Sequence, residues 1–228
     1  MTGIIVLCRF NSSRLPGKIL REINGKQILT FIMERLDILS QKYPIVVCTS
    51  IEETDNPIVK YCQMNSIKYF RGNLNNVAQR FLECAKQNNF DYGVRINGDN
   101  IFLDAHLIEG MIKKIELNDL DFISNVKDRT YPKGMSVEIV KTSFYEKAFA
   151  LFEKSDLEHV MTYFYRMEGG QKFFVYNSEK SGQGLNFAID TSEDFDNAQK
   201  IISAMKNDHT TYNYQEIIHL HNKIQNHE

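Results

Sequence analysis

Short apolar runs alternate along the chain with segments whose apolar residues recur every three or four positions. Gly3–Cys8 is a continuous apolar run and reads as a buried strand. Gln27–Leu39 carries apolar side chains at 28, 29, 32, 36 and 39, the spacing of one helix face. Ile45–Thr49 reads as the next strand, and Asp55 with Pro57 opens a helix that runs to about Met64. The pattern then predicts a strand over Ile67–Phe70, a helix over Asn76–Lys86, a strand over Tyr92–Ile96 and a helix over His106–Ile115. Strands are expected near Phe122–Asn125, Ser136–Val140, Phe173–Tyr176 and Asn186–Ile189, with helices near 143–153 and 156–166 between them. Two helices, about 194–206 and 214–224, follow.

This βαβαβαβα order implies an α/β fold: a mostly parallel central sheet flanked by helices on both faces. No repeat, low-complexity stretch or linker divides the sequence, so residues 1–228 are expected to form one domain. In an open α/β sheet, ligands sit at the carboxyl ends of the strands, and the loops that follow strands are where chemistry is sought.

Charge narrows the ligand class. The net charge is −2, so the whole-molecule field argues for neither nucleic acid nor an acidic membrane surface as partner. Locally the balance differs: residues 1–26 hold Arg9, Arg14, Lys18, Arg21 and Lys26 against Glu22, a small basic site suited to a compact anion. Cys8, Cys48, Cys62 and Cys84 form no CxxC pair and fall in apolar contexts, as expected of buried free thiols in a reducing, cytoplasmic setting. Ile4–Cys8 is too short for the core of a secretory leader, and no segment reaches transmembrane length.

Three post-strand loops carry the candidate chemistry. In Arg9-Phe-Asn-Ser-Ser-Arg-Leu-Pro-Gly-Lys18, two hydroxyls (Ser12, Ser13), three cations and a Pro-Gly turn can wrap a polyphosphate. The loop is neither a Walker A nor a GxGxxG sequence, and a solvated basic turn is the plain alternative. Lys18 is expected to be exposed without ligand. Arg95-Ile-Asn-Gly-Asp99-Asn100 places one carboxylate at a strand end, where it suits a magnesium ion held mainly by phosphate and water; a simple Asx turn or helix cap is the other reading. In Asp190-Thr191-Ser-Glu-Asp194, Thr191 and Asp194 form a capping-box pattern, which leaves Asp190 free to be a second metal ligand. Tyr131-Pro-Lys-Gly-Met-Ser-Val-Glu138 is a turn feeding a strand, and Glu158-His159 is expected to open a helix. Glu138 could face ligand or solvent, and a lone histidine such as His159 is more often structural.

Other apparent signals carry less. Asp119-Leu-Asp121 precedes its strand and Asp194-Phe-Asp196 lies within a helix, so neither DxD is placed to hold a nucleotide-sugar metal. His219 and His221 are two apart and diverge on a helix. Zinc-ligand spacing, a GxSxG elbow and basic–aromatic interleaving are all missing.

The order of these motifs resembles the spore-coat polysaccharide SpsF-type cytidylyltransferases, relatives of the CMP-acylneuraminate and CMP-Kdo synthetases. The resemblance rests on Arg9-x-x-x-Ser13-Arg14-Leu-Pro-Gly-Lys18, on Phe70-Arg71-Gly72 with Val77-x-x-Arg80-Phe81, and on Arg95-x-x-Gly98-Asp99-Asn100 with Asp104. Tyr131-Pro132-x-Gly134-x-x-Val137-Glu138, Glu158-His159-Val160 and Asp190-Thr191-x-Glu193-Asp194 complete it. Two positions depart from the family pattern: Ile101 stands where proline is usual, and Cys8 replaces the alanine before the first arginine.

The resemblance implies a nucleotide-diphosphosugar-transferase-like fold (GT-A-like, Rossmann-like), CTP as donor, an acidic sugar as acceptor and a homodimer. It implies that Mg²⁺ binds Asp99 and Asp190. Arg9, Ser13, Arg14 and Lys18 are then expected on the polyphosphate, Arg71 and Arg80 on the nucleoside side, and Tyr131, Lys133, Glu138 and His159 around the acceptor. A glycosyltransferase using a preformed nucleotide sugar and a non-catalytic nucleotide-binding protein are the competing readings.

Overall fold

The computed structural model describes residues 1–12 and 14–226. In chain order its elements begin with β1 (Thr2–Leu7), the hairpin β2 (Glu22–Ile23) and β3 (Lys26–Gln27), α1 (Ile28–Ser40), β4 (Ile45–Ser50) and α2 (Asn56–Met64). Then come β5 (Tyr69–Gly72), α3 (Val77–Gln87), β6 (Tyr92–Asn97), α4 (Ala105–Leu117) and β7 (Phe122–Ser124). After these follow β8 (Glu138–Lys141), α5 (Thr142–Phe149), α6 (Lys154–Glu158), α7 (Thr162–Arg166), β9 (Lys172–Phe174), α8 (Ser192–Ala204) and α9 (Tyr214–Gln225).

The main sheet has the order β5-β4-β1-β6-β8-β7-β9. β1 pairs in parallel with both β4 and β6, so that Leu7 lies opposite Cys48 on one side and Asn97 on the other. All six residues of β1 are buried. Their alternation divides them between two cores: Ile4 and Val6 join the face packed by α1, α4 and α9, while Ile5 and Leu7 join the face packed by α3, α5 and α7. Helices on both faces are what a continuous apolar strand requires.

Several boundaries differ from the sequence reading for local reasons. β8 runs antiparallel between β6 and β7, an arrangement that apolar runs alone do not encode. The strand expected at Ile67–Phe70 begins at Tyr69, because Ile67 donates its amide to the Cys62 carbonyl and closes α2 after Ser66 turns through positive φ. The helix expected over 156–166 is broken into α6 and α7. His159 is non-helical between them, and buried Asp156 bonds the Thr162 hydroxyl and the Arg166 guanidinium across the break.

The strand expected at Asn186–Ile189 does not form. A single parallel bridge joins Asn186 to Lys133, and the Ile189 amide donates instead to the Asp99 carbonyl at 3.1 Å. Gly134 makes this crossing possible: its φ is +93°, and a Cβ there would stand 2.3 Å from the Ala188 amide nitrogen. The segment is thereby laid across the carboxyl end of β6, which carries Asp190 to the vicinity of Asp99.

Candidate active site

A cleft runs along the carboxyl ends of β1 and β6 and the amino end of β8. It comprises two cavities, of about 270 and 370 Å³, which share Arg95, Asn97, Asp99 and His159 in their walls. The smaller is bounded by the β1 loop and by Arg80 of α3; the larger lies over β8 and the turns around residues 127 and 133.

Asp99 follows β6 by two residues. The turn is tight because Gly98 packs on the end of β1: its amide donates to the Leu7 carbonyl at 2.8 Å, and a Cβ would come within 2.6 Å of the Cys8 Cβ. The requirement for glycine is thus close strand-end packing rather than an unusual φ. Asp99 Oδ1 is buried and has no hydrogen-bond partner among the described residues. Its carboxyl is pushed above the usual range by burial, against the pull of Lys18, with Asp190 adding repulsion and Arg95 offsetting it. An Asx turn or cap through that oxygen would have given it a backbone donor, and among the described residues it has none.

Asp190 has the opposite surroundings. Lys18 Nζ lies 3.0 Å from its Oδ1, and both Lys133 Nζ and Arg14 Nη2 lie 3.0 Å from its Oδ2. Burial would raise its pKa, but the hydrogen bonds from Lys133 and Lys18 outweigh that and hold it at about 2. Lys18 also donates to the Ile189 carbonyl at 2.6 Å and stands 3.9 Å from Asp99 Oδ2. It is therefore tied down without ligand, contrary to the expectation that it would be exposed. The capping box read at Thr191 and Asp194 is present and starts α8 immediately after Asp190.

The remaining candidates divide. Arg9 and Arg14 line the smaller cavity, as does Arg80, whose Nη1 bonds the Asn73 carbonyl at 2.9 Å and whose buried Nε has no partner among the described residues. Ser13 lies outside the described residues. Arg71 lines neither cavity; its guanidinium is spent on the Ser50 and Glu52 carbonyls, each at 2.8 Å. Tyr131 also lines neither, and packs its buried ring on Tyr214. Lys133 and Glu138 line the larger cavity, with Glu138 buried and bonded by Arg95 and by the Tyr165 hydroxyl at 2.6 Å. His159 sits on the wall common to both.

Three cationic residues of the cleft have no role in the sequence reading of the site, although Arg95 belongs to one of its motifs. Arg95 was readable as a cation in an otherwise apolar strand, and it lines both cavities. Lys127 and Arg129 gave no periodic signal. They flank Asp128 in a turn where both Asp128 (φ +58°) and Arg129 (φ +47°) are left-handed, a strained pair of the kind found at ligand sites. Both line the larger cavity, and among the described residues neither has an ion-pairing carboxylate. The two DxD sequences serve structure: Asp119 takes hydrogen bonds from Tyr92 and Lys141, and Asp194 caps α8.

The cleft places a basic loop, an unsatisfied carboxylate and a second cationic cavity along one sheet edge. The sequence matches the cytidylyltransferase family over residues 3–223. The chain belongs to that family. Among its relatives, "Uncharacterized protein MJ1063" of Methanocaldococcus jannaschii is 31% identical over 194 residues, covering 84% of this chain and 79% of the relative. The spore coat polysaccharide biosynthesis protein SpsF of Bacillus subtilis is 26% identical, covering 86% and 84% respectively. A solved cytidylyltransferase from Leptospira borgpetersenii superposes with a TM-score of 0.92 at 29% identity, covering 99% of this chain and 95% of that one. The α/β architecture is that of nucleotidyltransferases, and the chain is a nucleotidyltransferase of the cytidylyltransferase type. No helix among the described residues is long and apolar enough to cross a membrane.

Proposed function

We propose that this cytidylyltransferase moves CMP from CTP to a hydroxyl of an acidic sugar and releases pyrophosphate. The acceptor oxygen bonds to the α-phosphorus as the bond to the β-phosphate oxygen breaks. The observation that carries the reading is Asp99, a residue on the wall shared by two cation-lined cavities with one buried oxygen left unpartnered among the described residues.

Each residue then has a role that follows from its position. Arg9, Arg14 and Lys18 take the β- and γ-phosphates by charge-assisted hydrogen bonds, and they offset charge on the departing pyrophosphate. Arg14 and Lys18 exchange Asp190 for phosphate when they do so, since both rest on that carboxylate in the free protein. Arg80 faces the nucleoside side. His159, between the cavities, orients the acceptor toward the α-phosphate, and holding both substrates in line supplies much of the rate.

The donor set fits Mg²⁺. Two hard carboxylates, one with a free buried oxygen, suit an ion that draws most of its ligands from phosphates and water. Among the described residues no group of three or more His, Cys, Asp and Glu forms an all-protein cage. Asp99 and Asp190 would hold the ion, which supplies charge neutralisation at the phosphates when bound.

The acidic acceptor is supported by charge. In the larger cavity Lys127 and Arg129 remain free of carboxylate partners, whereas Arg95 and Lys133 are already paired. A homodimer is proposed on the family resemblance, with sedimentation at several concentrations as its check. The reaction is tested by measuring pyrophosphate release with each of the four nucleoside triphosphates against sugar acids and neutral sugars. Release with CTP and an acid is expected; release only with GTP, or only with neutral sugars, contradicts the reading.

A further inference from the structure

We propose that Asp55 is a positioning residue that presets the phosphate loop, holding it in shape before nucleotide arrives. The proposal rests on the reading of Arg9–Lys18 as the triphosphate site.

By sequence Asp55 opens α2, yet its side chain caps nothing there. It is fully buried and turned the other way, toward the loop after β1. Oδ1 accepts the Phe10 amide at 2.7 Å, and Oδ2 accepts the Thr49 hydroxyl and the Ser50 amide, each at 2.9 Å. Burial would raise its pKa, but the Ser50 hydroxyl together with those donors outweighs it and holds the carboxyl below the usual range, so the group is an anion inside the fold. One carboxylate thus ties the end of β4 to the loop that leaves β1.

Phe10 passes the constraint on. Its carbonyl accepts the Ser12 amide at 3.1 Å and the Gly17 amide at 2.9 Å, closing the loop across its own base. Its ring lies beneath Gly17, where a Cβ would meet it at 3.2 Å. Gly17 directly precedes Lys18, and Arg9 directly precedes Phe10. The two cations that bracket the loop are therefore placed by one residue, and that residue is held by Asp55. Asp55 lines neither cavity, so it acts through the loop and not on substrate.

Burying an ionised side chain is costly, and the cost is offset here by the three donors that Asp55 gathers from β4 and from the loop after β1. A buried anion that anchors a loop amide is what preorganisation of a phosphate site requires, because the ordering entropy is then met in folding and not in binding.

The test is calorimetric binding of CTP and of CMP, each with Mg²⁺, to the wild type, Asp55→Asn and Lys18→Ala. No acceptor is needed. Asparagine keeps one acceptor oxygen and turns an NH₂ toward either Phe10 or the Thr49–Ser50 pair. The expected result is a CTP Kd raised about tenfold or more, with the CMP Kd within about twofold, so the preference for triphosphate collapses. A role confined to general stability lowers both affinities alike or neither, and either outcome overturns the proposal. If the wild type itself binds CMP as tightly as CTP, and Lys18→Ala changes neither, the phosphate-loop reading fails and takes the proposal with it. Should Asp55→Asn not fold, hydrogen exchange of the Phe10 amide in the nucleotide-free wild type decides: protection comparable to β1 is expected, and exchange at the rate of an open loop overturns the assignment.

Discussion

Asp99 and Asp190 share Lys18 unequally: its Nζ stands 3.0 Å from Asp190 Oδ1 but 3.9 Å from Asp99 Oδ2. With Lys133 and Arg14 also on Asp190, that carboxylate is over-provided with positive charge while Asp99 keeps a bare buried oxygen. The two acids therefore bear on stability with opposite signs, although both are proposed to serve one ion.

Asp99→Asn is expected to leave the free protein at least as stable as wild type and to cut turnover by about a hundredfold or more. An acid whose folded-state pKa is raised costs stability once ionised. The cost sets in as pH rises from the ordinary carboxylate value through the raised one, and it persists above. Thermal melts at pH 7 should show equal or higher stability in the variant, and the gap should close as pH falls below the carboxylate range. A clearly lower melting temperature at pH 7 would mean that Asp99 is a structural residue.

Asp190→Asn should lose both activity and stability, the latter by about 1–3 kcal/mol, because three cations lose their counter-charge. The sign is reversed here: a depressed folded-state pKa contributes stability above the unfolded value, and this is lost as pH falls through about 2. Denaturant unfolding from neutral to acid pH measures it. Activity losses of the two single variants should not multiply in the double variant, since both act through one ion. Clean multiplication would separate their roles.

Most of the fold was legible, because continuous apolar runs and helical spacing are local signals. Asp99 and the basic loop were legible for the same reason, as polar clusters directly after buried strands. What was not legible depends on pairing across the chain. The antiparallel pairing of β8 with β6, the loss of the strand before Asp190 and the bond from the Phe10 amide to Asp55 depend on partners far away in the sequence. Arg71 and Tyr131 matched family motifs, but backbone carbonyls and Tyr214 occupy them. Lys127 and Arg129 became visible only through the left-handed turn that carries them.

Lys18→Ala should cost more than nucleotide binding. Its ammonium joins the Ile189 carbonyl and Asp190, so stability should fall by about 1–2 kcal/mol as well. The KM for CTP should rise about tenfold or more. Steady-state kinetics beside denaturant melts would check both. An unchanged KM for CTP would place Lys18 outside the nucleotide site.

Lys127→Ala and Arg129→Ala should each raise the acceptor KM by about tenfold, leaving the KM for CTP within about twofold. The turn is at the surface of the larger cavity and both side chains lack carboxylate partners among the described residues, so folding should be little affected. Kinetics with each substrate varied in turn would show the split. A matched rise in both constants would assign the turn to the nucleotide.

The destination of the α-phosphorus of CTP decides the reaction. The direct measurement uses CTP labelled at the α-phosphate, with Mg²⁺ and a panel of sugar acids, followed by separation of the products. The account predicts that the label moves onto a sugar acid as its CMP ester, in step with unlabelled pyrophosphate, and that Asp99→Asn abolishes both. Label recovered only as free CMP or CDP, or a protein that consumes a preformed CMP-sugar but never makes one, would contradict it.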